Sequence, residues 1–308
     1  MPIETFIFVG VSTGQSSIMK IFPEWAKILG LKAKLLGRDI PLNAPAASYR
    51  RIVQEIRDDP LVRGALVTAH KIDLLQACRD MFDFLDPHAR ICDELSCIAK
   101  VGGLLQGFAK DTISSGMALD HFVPPDHWEG GQRDVLCLGA GGAATAVSVC
   151  LAERLRSAAH PRRFLLVDIF PGRLDAIRRI HDKLDTAIQF DYYLNSDAVE
   201  NDALLSELPA ASLVINATGL GKDRPGSPIT DAARFPQDSL VWELNYRGQR
   251  QFMRQAEAQA AERDLTIEDG WNYFLHGWTG VIAEVFQIEL SDAVFEQLRA
   301  AAAAHRTA

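Results

Sequence analysis

The sequence predicts an α/β protein of two domains, and three observations carry that expectation. The chain has 308 residues, 48% of them hydrophobic, enough for about two separate cores. Short apolar runs alternate with amphipathic helical patterns, which implies mainly parallel sheets. Near the middle, Asp134 to Ala144 reads Asp-Val-Leu-Cys-Leu-Gly-Ala-Gly-Gly-Ala-Ala, an apolar run followed by a glycine-rich turn and a helical pattern.

That central stretch is the most informative. Val135 to Leu138 predicts a buried strand, Gly139, Gly141 and Ala144 keep Gly-x-Gly-x-x-Ala spacing, and Ala143 to Arg156 predicts a helix. Strand, glycine turn and helix together form the context of a dinucleotide-binding fingerprint. The first glycine permits the tight turn, the second lets backbone approach a pyrophosphate, and the small third residue lets helix and strand pack closely. Free N–H groups and partial positive charge at the helix N-terminus complete an anion site. Gly139, Ala140, Gly141, Gly142 and Ala143 are therefore candidate cofactor-binding residues. The alternative is an ordinary strand-to-helix turn with a glycine cap.

Before it, Thr5 to Val9 predicts a strand, followed by Gly10 and the hydroxyl-bearing segment Val11-Ser-Thr-Gly-Gln-Ser-Ser17. Ile18 to Leu29 has apolar residues at helical spacing, with Pro23 an irregularity. Ala33 to Leu36 predicts a strand, Ala46 to Asp58 an amphipathic helix closed by Pro60, and Gly64 to Val67 a strand. Thr68-Ala-His-Lys71 then leads into a helix, and residues 95–108 predict a hairpin around Gly102-Gly103. A helix from Thr112 to Phe122 ends before Pro124-Pro125 and Gly130-Gly131.

After the glycine turn, Arg163 to Asp168 predicts a second strand ending in an acid, followed by a helix at Leu174 to Lys183. Ile188 to Tyr193, Ser212 to Asn216 and Ser239 to Asn245 predict further strands, with helices at Ala203 to Leu208 and Gln249 to Arg263. From Trp271 the pattern is helical and aromatic-rich, and is expected to complete the first domain. The expected boundaries are 1–111 plus 271–308 for a substrate-binding and catalytic domain and 112–270 for a Rossmann-type dinucleotide domain. An active-site cleft between the two is expected.

A net charge of −8 disfavours nucleic acid as a partner. No apolar run approaches the roughly 20 residues of a membrane span, and no basic start with an apolar core marks a signal peptide. Cys78, Cys92, Cys97, Cys137 and Cys150 form no Cys-x-x-Cys pair, so buried thiols in a reducing cytoplasm are expected, and no metal site.

Among groups that could carry chemistry, Lys71 stands at a predicted helix start, where the dipole disfavours a cation and favours loss of its proton. Its alternative is a solvated surface lysine. Asp111 is a candidate partner or a helix N-cap. His70 and His276 are candidates to titrate near neutrality. Asp168 closes the strand after the fingerprint, where an acid accepts hydrogen bonds from the adenosine ribose of NAD and repels the extra phosphate of NADP. It stands further from Gly139 than the usual roughly 20 residues, and the loop from Ser157 to Arg162 accounts for the excess.

Together these pieces resemble the shikimate/quinate dehydrogenase family over nearly the whole chain. Val67-Thr-Ala-His-Lys71 is similar to the family's Val-Thr-x-Pro-x-Lys, Gly107-Phe-Ala-Lys-Asp111 to its Gly-x-Asn-Thr-Asp, and Gly139 to Ala144 to its glycine loop. Asn216-Ala-Thr-Gly-Leu-Gly221 resembles its Asn-Ala-Thr-Ser-x-Gly, and Glu243-Leu-Asn-Tyr246 its Asp-x-x-Tyr. The resemblance implies that Lys71 and Asp111 are the catalytic pair and that Thr68 and Tyr246 contact substrate. It further implies that Asn216, Ala217, Thr218 and Gly219 line the cofactor side, and that Ser16 or Ser17 grips a substrate carboxylate. The lysine segment has one fewer residue before Lys71 and no proline. Other departures fall in the substrate-reading residues. The family's Ser-x-Ser reads Gln15-Ser-Ser-Ile18, two asparagines appear as Ser96 and Ala109, and a glutamine appears as His276. Where NADP-using members read Asn-Arg-Thr, this chain reads Asp168-Ile-Phe170.

The resemblance implies an NAD-dependent dehydrogenase, with NADP disfavoured by Asp168, acting on a secondary hydroxyl of a small cyclic polyhydroxy carboxylate. A monomer or homodimer in the cytoplasm is expected. The alternative is a non-catalytic NAD-binding sensor or interaction paralogue of the same fold, suggested by the altered residues Ser96, Ala109 and His276.

Overall fold

The computed structural model describes residues 2–306 except 131, 155–158 and 223. The chain divides into two compact units, one of Met1–Asp111 with Gly277–Thr307 and the other of Thr112–His276. Both units are α/β, as predicted.

In the first unit the strands β1 (Glu4–Gly10), β2 (Ala33–Asp39), β3 (Val62–Val67), β4 (Phe84–Leu85), β5 (Cys97–Val101) and β6 (Leu104–Phe108) form one sheet. Their order is β2-β1-β3-β5-β6-β4. β1 pairs in parallel with both β2 and β3, with Gly10 opposite Asp39 and Val9 opposite Val67. β5 runs antiparallel to both β3 and β6, and a two-glycine turn, Gly102 and Gly103 both at positive φ, closes the predicted hairpin between β5 and β6. Chain order reverses at β1 and β3, so the loops after their C-terminal ends open at a topological switch point, where ligands bind in such sheets.

Period-2 alternation decides what each face of β1 buries. Ile7 and Val9 join a core with Tyr49, Ile52, Val53 and Ile56 of α2 (Ala46–Asp58). Phe6 faces the other way, against Phe22 of α1 (Ile18–Ile28) and, through edge contacts, Trp278 and Phe286. Pro23 lies inside α1, removing one helical donor. α3 (Lys71–Cys78) follows β3, and α4 (Pro87–Cys92) follows β4.

The second unit opens with α5 (Asp111–Leu119), whose first residue belongs to the first unit. The elements β7 (Val135–Leu138), α6 (Gly142–Arg154), β8 (Arg163–Asp168), α7 (Pro171–His181), β9 (Gln189–Leu194), α8 (Ala198–Ser206), β10 (Leu213–Asn216), β11 (Leu240–Glu243), α9 (Gln251–Glu257), α10 (Ala260–Arg263) and β12 (Thr266–Glu268) follow. All six strands are parallel in the order β12-β11-β10-β7-β8-β9, the doubly wound arrangement. Helices cover both faces, so β7 is buried at every residue, with Val135 and Cys137 in one core and Leu136 and Leu138 in the other. That explains why its sequence is an unbroken apolar run rather than an alternating one. The start of β7 is fixed by Asp134, fully buried, which accepts from the guanidinium groups of Arg162 and Arg163 at 2.7–3.1 Å.

The chain ends in α11 (Trp271–Phe286) and α12 (Asp292–Ala303). Trp25 donates its indole N–H to the Leu298 carbonyl at 2.8 Å, and Ser291 caps α12 by accepting from the Val294 N–H. The predicted helix end at Arg156, the loop start at Ser157 and Gly131 lie outside the described residues.

Several elements differ from expectation. The helix predicted at Ala203–Leu208 begins at Ala198, because Asp197 caps it by accepting from the Val199 N–H. The segment from Gln249 to Arg263 forms two helices rather than one. β4 and β12 have only two and three residues, too few for a periodic signal. α4, not among the predicted elements, carries a local start signal, an Asp86 N-cap before Pro87.

Asp86 joins two elements that deliver functional residues. Its Oδ1 accepts from the Ala89 N–H of α4 at 2.7 Å and from the Ala109 N–H after β6 at 3.1 Å, all at buried positions. Replacing it by alanine strands both donors. Asp86→Ala is expected to lower stability by about 2–4 kcal/mol in urea titration. A loss within about 0.5 kcal/mol, the range of an ordinary surface change, would contradict this role.

Candidate active site

In the first unit the chemistry gathers where β1 and β3 end. Thr68 follows β3 and turns back on β1, its N–H and hydroxyl both donating to the Val9 carbonyl at 3.0 and 3.2 Å. Gly10 makes this approach possible, since a Cβ there would stand 2.9 Å from the Thr68 Oγ1. The turn leads directly to Lys71, the first residue of α3. Lys71 donates to Asp111 Oδ2, the first residue of α5, in an ion pair whose side chains are only 19% and 12% exposed.

Ser96 holds the turn that presents Asp111. Its hydroxyl accepts from the Lys110 N–H at 2.9 Å, and its own N–H donates to the Phe108 carbonyl at 3.0 Å. Ala109 is buried with its N–H tied to Asp86. Ser16 and Ser17 lie half-buried between the short 3-10 turn Thr13–Gln15 and α1, and the Ser16 N–H closes that turn on the Thr13 carbonyl at 3.0 Å. Thr13 in turn is pinned by its N–H and hydroxyl to Asp39 Oδ1.

A group not singled out in the sequence joins the pair. Glu94, 1% exposed on the turn between α4 and β5, lies within electrostatic reach of Lys71 and Asp111. Burial, the largest influence, pushes its carboxyl up to about 7 although Lys71 pulls it down. Nothing in its sequence position marks it, because it approaches Lys71 only through the fold. The expectation that Lys71 loses its proton readily is corrected here. Burial does disfavour its charge, but Asp111 and Glu94 outweigh burial and hold the ammonium above the ordinary lysine value. His70 is fully buried between the Ile40 carbonyl and the Tyr49 hydroxyl, a structural position.

In the second unit Gly139 adopts φ +106°, and a Cβ on it would stand 2.7 Å from the Ala217 carbonyl group. Only glycine fits both constraints. Ala144 is fully buried under the α6 start, while Gly141, Gly142 and Ala143 stay half-buried. The N–H groups of the first turn of α6 have no intrahelical acceptors, which makes this end an anion-binding feature.

Asp168 ends β8, 6% exposed. Its Oδ2 accepts from the Ala140 N–H at 2.9 Å, its Oδ1 from the Phe170 N–H at 2.9 Å. The acid thus ties the glycine turn to the loop after β8. Arg173, missed in the sequence, stands 3.6 Å from Asp168 with its guanidinium over the Phe170 ring. Ile169 and Phe170 are 56% and 49% exposed, unusual for such residues.

On the other side of the switch point, Asn216 is fully buried and its side chain is committed to structure. Its Nδ2 donates to Glu243 at 2.9 and 3.1 Å, and its Oδ1 accepts from the Thr218 N–H and hydroxyl at 3.1 and 2.7 Å. This network sets the backbone of Ala217, Thr218 and Gly219 beside Gly139. Tyr246 packs on Phe274 with centroids 4.4 Å apart, and the Lys222 ammonium lies 5.3 Å from its ring centroid. His276 meets His121 through their Nε2 atoms at 3.0 Å. The expectation that His276 titrates near neutrality is corrected, since burial and the His121 charge lower it to about 4.

No protein-family model matches the chain. A curated shikimate dehydrogenase (NADP(+)) of Methylobacterium radiotolerans is 27% identical over 270 residues, covering 87% of this chain and 86% of that one. The solved quinate dehydrogenase of Corynebacterium glutamicum, in complex with NAD, superposes with a TM-score of 0.74 at 15% identity, covering 98% and 99% of the two chains. Shikimate 5-dehydrogenase of Listeria monocytogenes, in complex with shikimate and NAD, gives 0.72 at 18% identity over 96% of each chain.

The Asn216–Glu243 network yields a pH-dependent stability. Burial pushes the Glu243 carboxyl up to about 7, more strongly than its donors Asn245 and Asn216 pull it down. A carboxyl raised in the fold stabilises fully below its unfolded value near 4.5, and that contribution is lost as pH rises through about 7. Relative to wild type, Glu243→Gln is expected to flatten the fall in melting temperature between about pH 5 and 8. An identical pH slope in both proteins would rule this out.

Proposed function

We propose that this chain belongs to the shikimate/quinate dehydrogenase family, as its similarity to curated relatives and its shared fold support, and that it is a nicotinamide-dependent oxidoreductase. Its substrate would be a small cyclic polyhydroxy carboxylate that is oxidised or reduced at a secondary hydroxyl. The observation that carries this reading is the sequestered Lys71–Asp111 pair at the switch point of the first sheet. Such a pair is costly to bury and suits a group that must hold and move a proton.

The residues of the second unit fit a dinucleotide. The Gly139 turn, the free N–H groups at the start of α6 and the acid at the end of β8 are the features that cradle a pyrophosphate and a ribose. A bound nicotinamide supplies hydride chemistry. Lys71 gives a proton to the carbonyl oxygen during reduction, or takes one from the hydroxyl during oxidation. Asp111 orients the ammonium and compensates its charge. Thr68, Ser16, Ser17, Ser96, Tyr246 and His276 are proposed to read the rest of the substrate, and the departures from the family pattern at Ser16, Ser17, Ser96 and His276 support a substrate other than shikimate itself.

We assign NAD as the preferred cofactor, on the strength of Asp168. Its carboxylate keeps lone pairs for ribose hydroxyls and opposes an added phosphate. A second reading, NADP, is favoured by Arg173, an exposed cation 3.6 Å from that acid that is placed to meet such a phosphate.

Lys71→Ala is expected to lower turnover about 10²–10⁴-fold with cofactor affinity kept, measured by NADH absorbance over a panel of cyclic hydroxy acids. Unchanged turnover would remove Lys71 from the mechanism, and tight NAD binding without turnover of any panel member would identify a non-catalytic binder. Asp168→Ala is expected to weaken NAD and admit NADP, whereas Arg173→Ala is expected to leave NAD affinity in place. Calorimetry that finds NADP bound more tightly than NAD by the wild type reverses the cofactor assignment.

A further inference from the structure

The least explained group in the molecule is Glu94. It is 1% exposed, and its Oε1 has no hydrogen-bond partner among the described residues. Carboxylates are almost never buried so completely without a partner. Its place is set by backbone. The next residue, Leu95, donates its N–H to the Lys71 carbonyl at 3.3 Å, which fastens the turn after α4 to the first residue of α3. Asp93, beside it, turns outward to Arg79 at the surface.

The charged and titratable groups around Glu94 come from three elements. They are Lys71 at the head of α3, Asp111 at the head of α5, and the Cys92 thiol at the end of α4, which acts on Lys71. Lys71 and Asp111 together carry no net charge, so an ionised Glu94 leaves the buried group with one excess negative charge. Such an excess is relieved most directly by keeping the nearby ammonium protonated.

We propose that Glu94 is a positioning residue for the Lys71–Asp111 pair, a buried second carboxyl that fixes the proton on Lys71 and biases the site toward giving a proton to a carbonyl. The mechanistic meaning rests on the dehydrogenase reading above, but the charge coupling does not. Two carboxyls share one ammonium, and removing the Glu94 charge loosens the Lys71 proton. In the reaction this makes carbonyl reduction the direction served near neutrality. Oxidation of the alcohol needs Lys71 to give up its proton first, which Glu94 delays to higher pH. The Glu94 carboxyl itself, raised to about 7 by burial, ionises in the range where this matters.

The test is a titration of the full-length protein without substrate or cofactor, following the side-chain carbon signals of ¹³C-labelled lysine, with Lys71→Met identifying the Lys71 signal. In Glu94→Gln the Lys71 midpoint is expected to fall by about one pH unit or more, in a variant that keeps the wild-type circular dichroism. A midpoint unchanged within about 0.3 unit, well below a resolvable charge effect, overturns the proposal. Should Glu94→Gln fail to fold, the reciprocal measurement decides. With glutamate labelled, Lys71→Met is expected to raise the Glu94 midpoint, and an unmoved midpoint overturns the proposal equally. Where a substrate is turned over, the acid limb of the oxidation rate is expected to move to lower pH in Glu94→Gln, with cofactor affinity unchanged. Absence of turnover would count against the dehydrogenase reading alone, because the titrations stand without it.

Discussion

A buried ammonium must be met by negative charge, and the first unit is arranged around meeting that demand at Lys71. Its counter-ion, Asp111, comes from a point forty residues further along the chain. Delivering it requires the hairpin of β5 and β6, the Asp86 contact that ties β6 to α4, and the Ser96 hydroxyl that holds the Lys110 amide. Those contacts anchor the backbone before Asp111, so that its short carboxylate meets the Lys71 ammonium. Burial raises the strength of every electrostatic interaction there, so each nearby acid alters what Lys71 can do. Glu94 is significant for that reason, since with Asp111 it holds the Lys71 ammonium above the ordinary lysine value.

The second unit answers a different constraint. Close approach of parallel β7 and β10 brings Gly139 against the Ala217 backbone, which leaves no room for a side chain. The glycine turn, the end of β8 and the loop after β10 are stitched by two acids. Asp168 is satisfied by backbone N–H groups of both neighbouring segments, whereas Glu243 is deep enough that burial raises it toward neutrality. Asn216, which the family pattern marks as lining the cofactor, acts on the loop from within by organising the backbone of Thr218.

The architecture and much of the candidate site were legible in the sequence. An unbroken apolar run such as Val135–Leu138, bounded by Asp134 and Gly139, fits a short strand covered on both faces, and the glycine spacing that follows fits a dinucleotide turn in that context. The hairpin at Gly102-Gly103 and the helix at Ala46–Asp58 were readable because turn chemistry and a 3.6-residue period are local properties. Strands of two or three residues carry no period, so β4 and β12 were not readable.

What the sequence by itself determined is therefore most of the elements and the glycine turn, because these follow from local pattern, while the candidate pair of Lys71 and Asp111 came from the motif resemblance. What only the tertiary structure decided is how those groups behave. Lys71 is held protonated, His276 is lowered by burial and by His121, and Arg173 stands beside Asp168. Each of these depends on a neighbour distant in sequence and on removal from water. Charge and desolvation act through space, and no local pattern records which groups the fold will bring into the same dry volume.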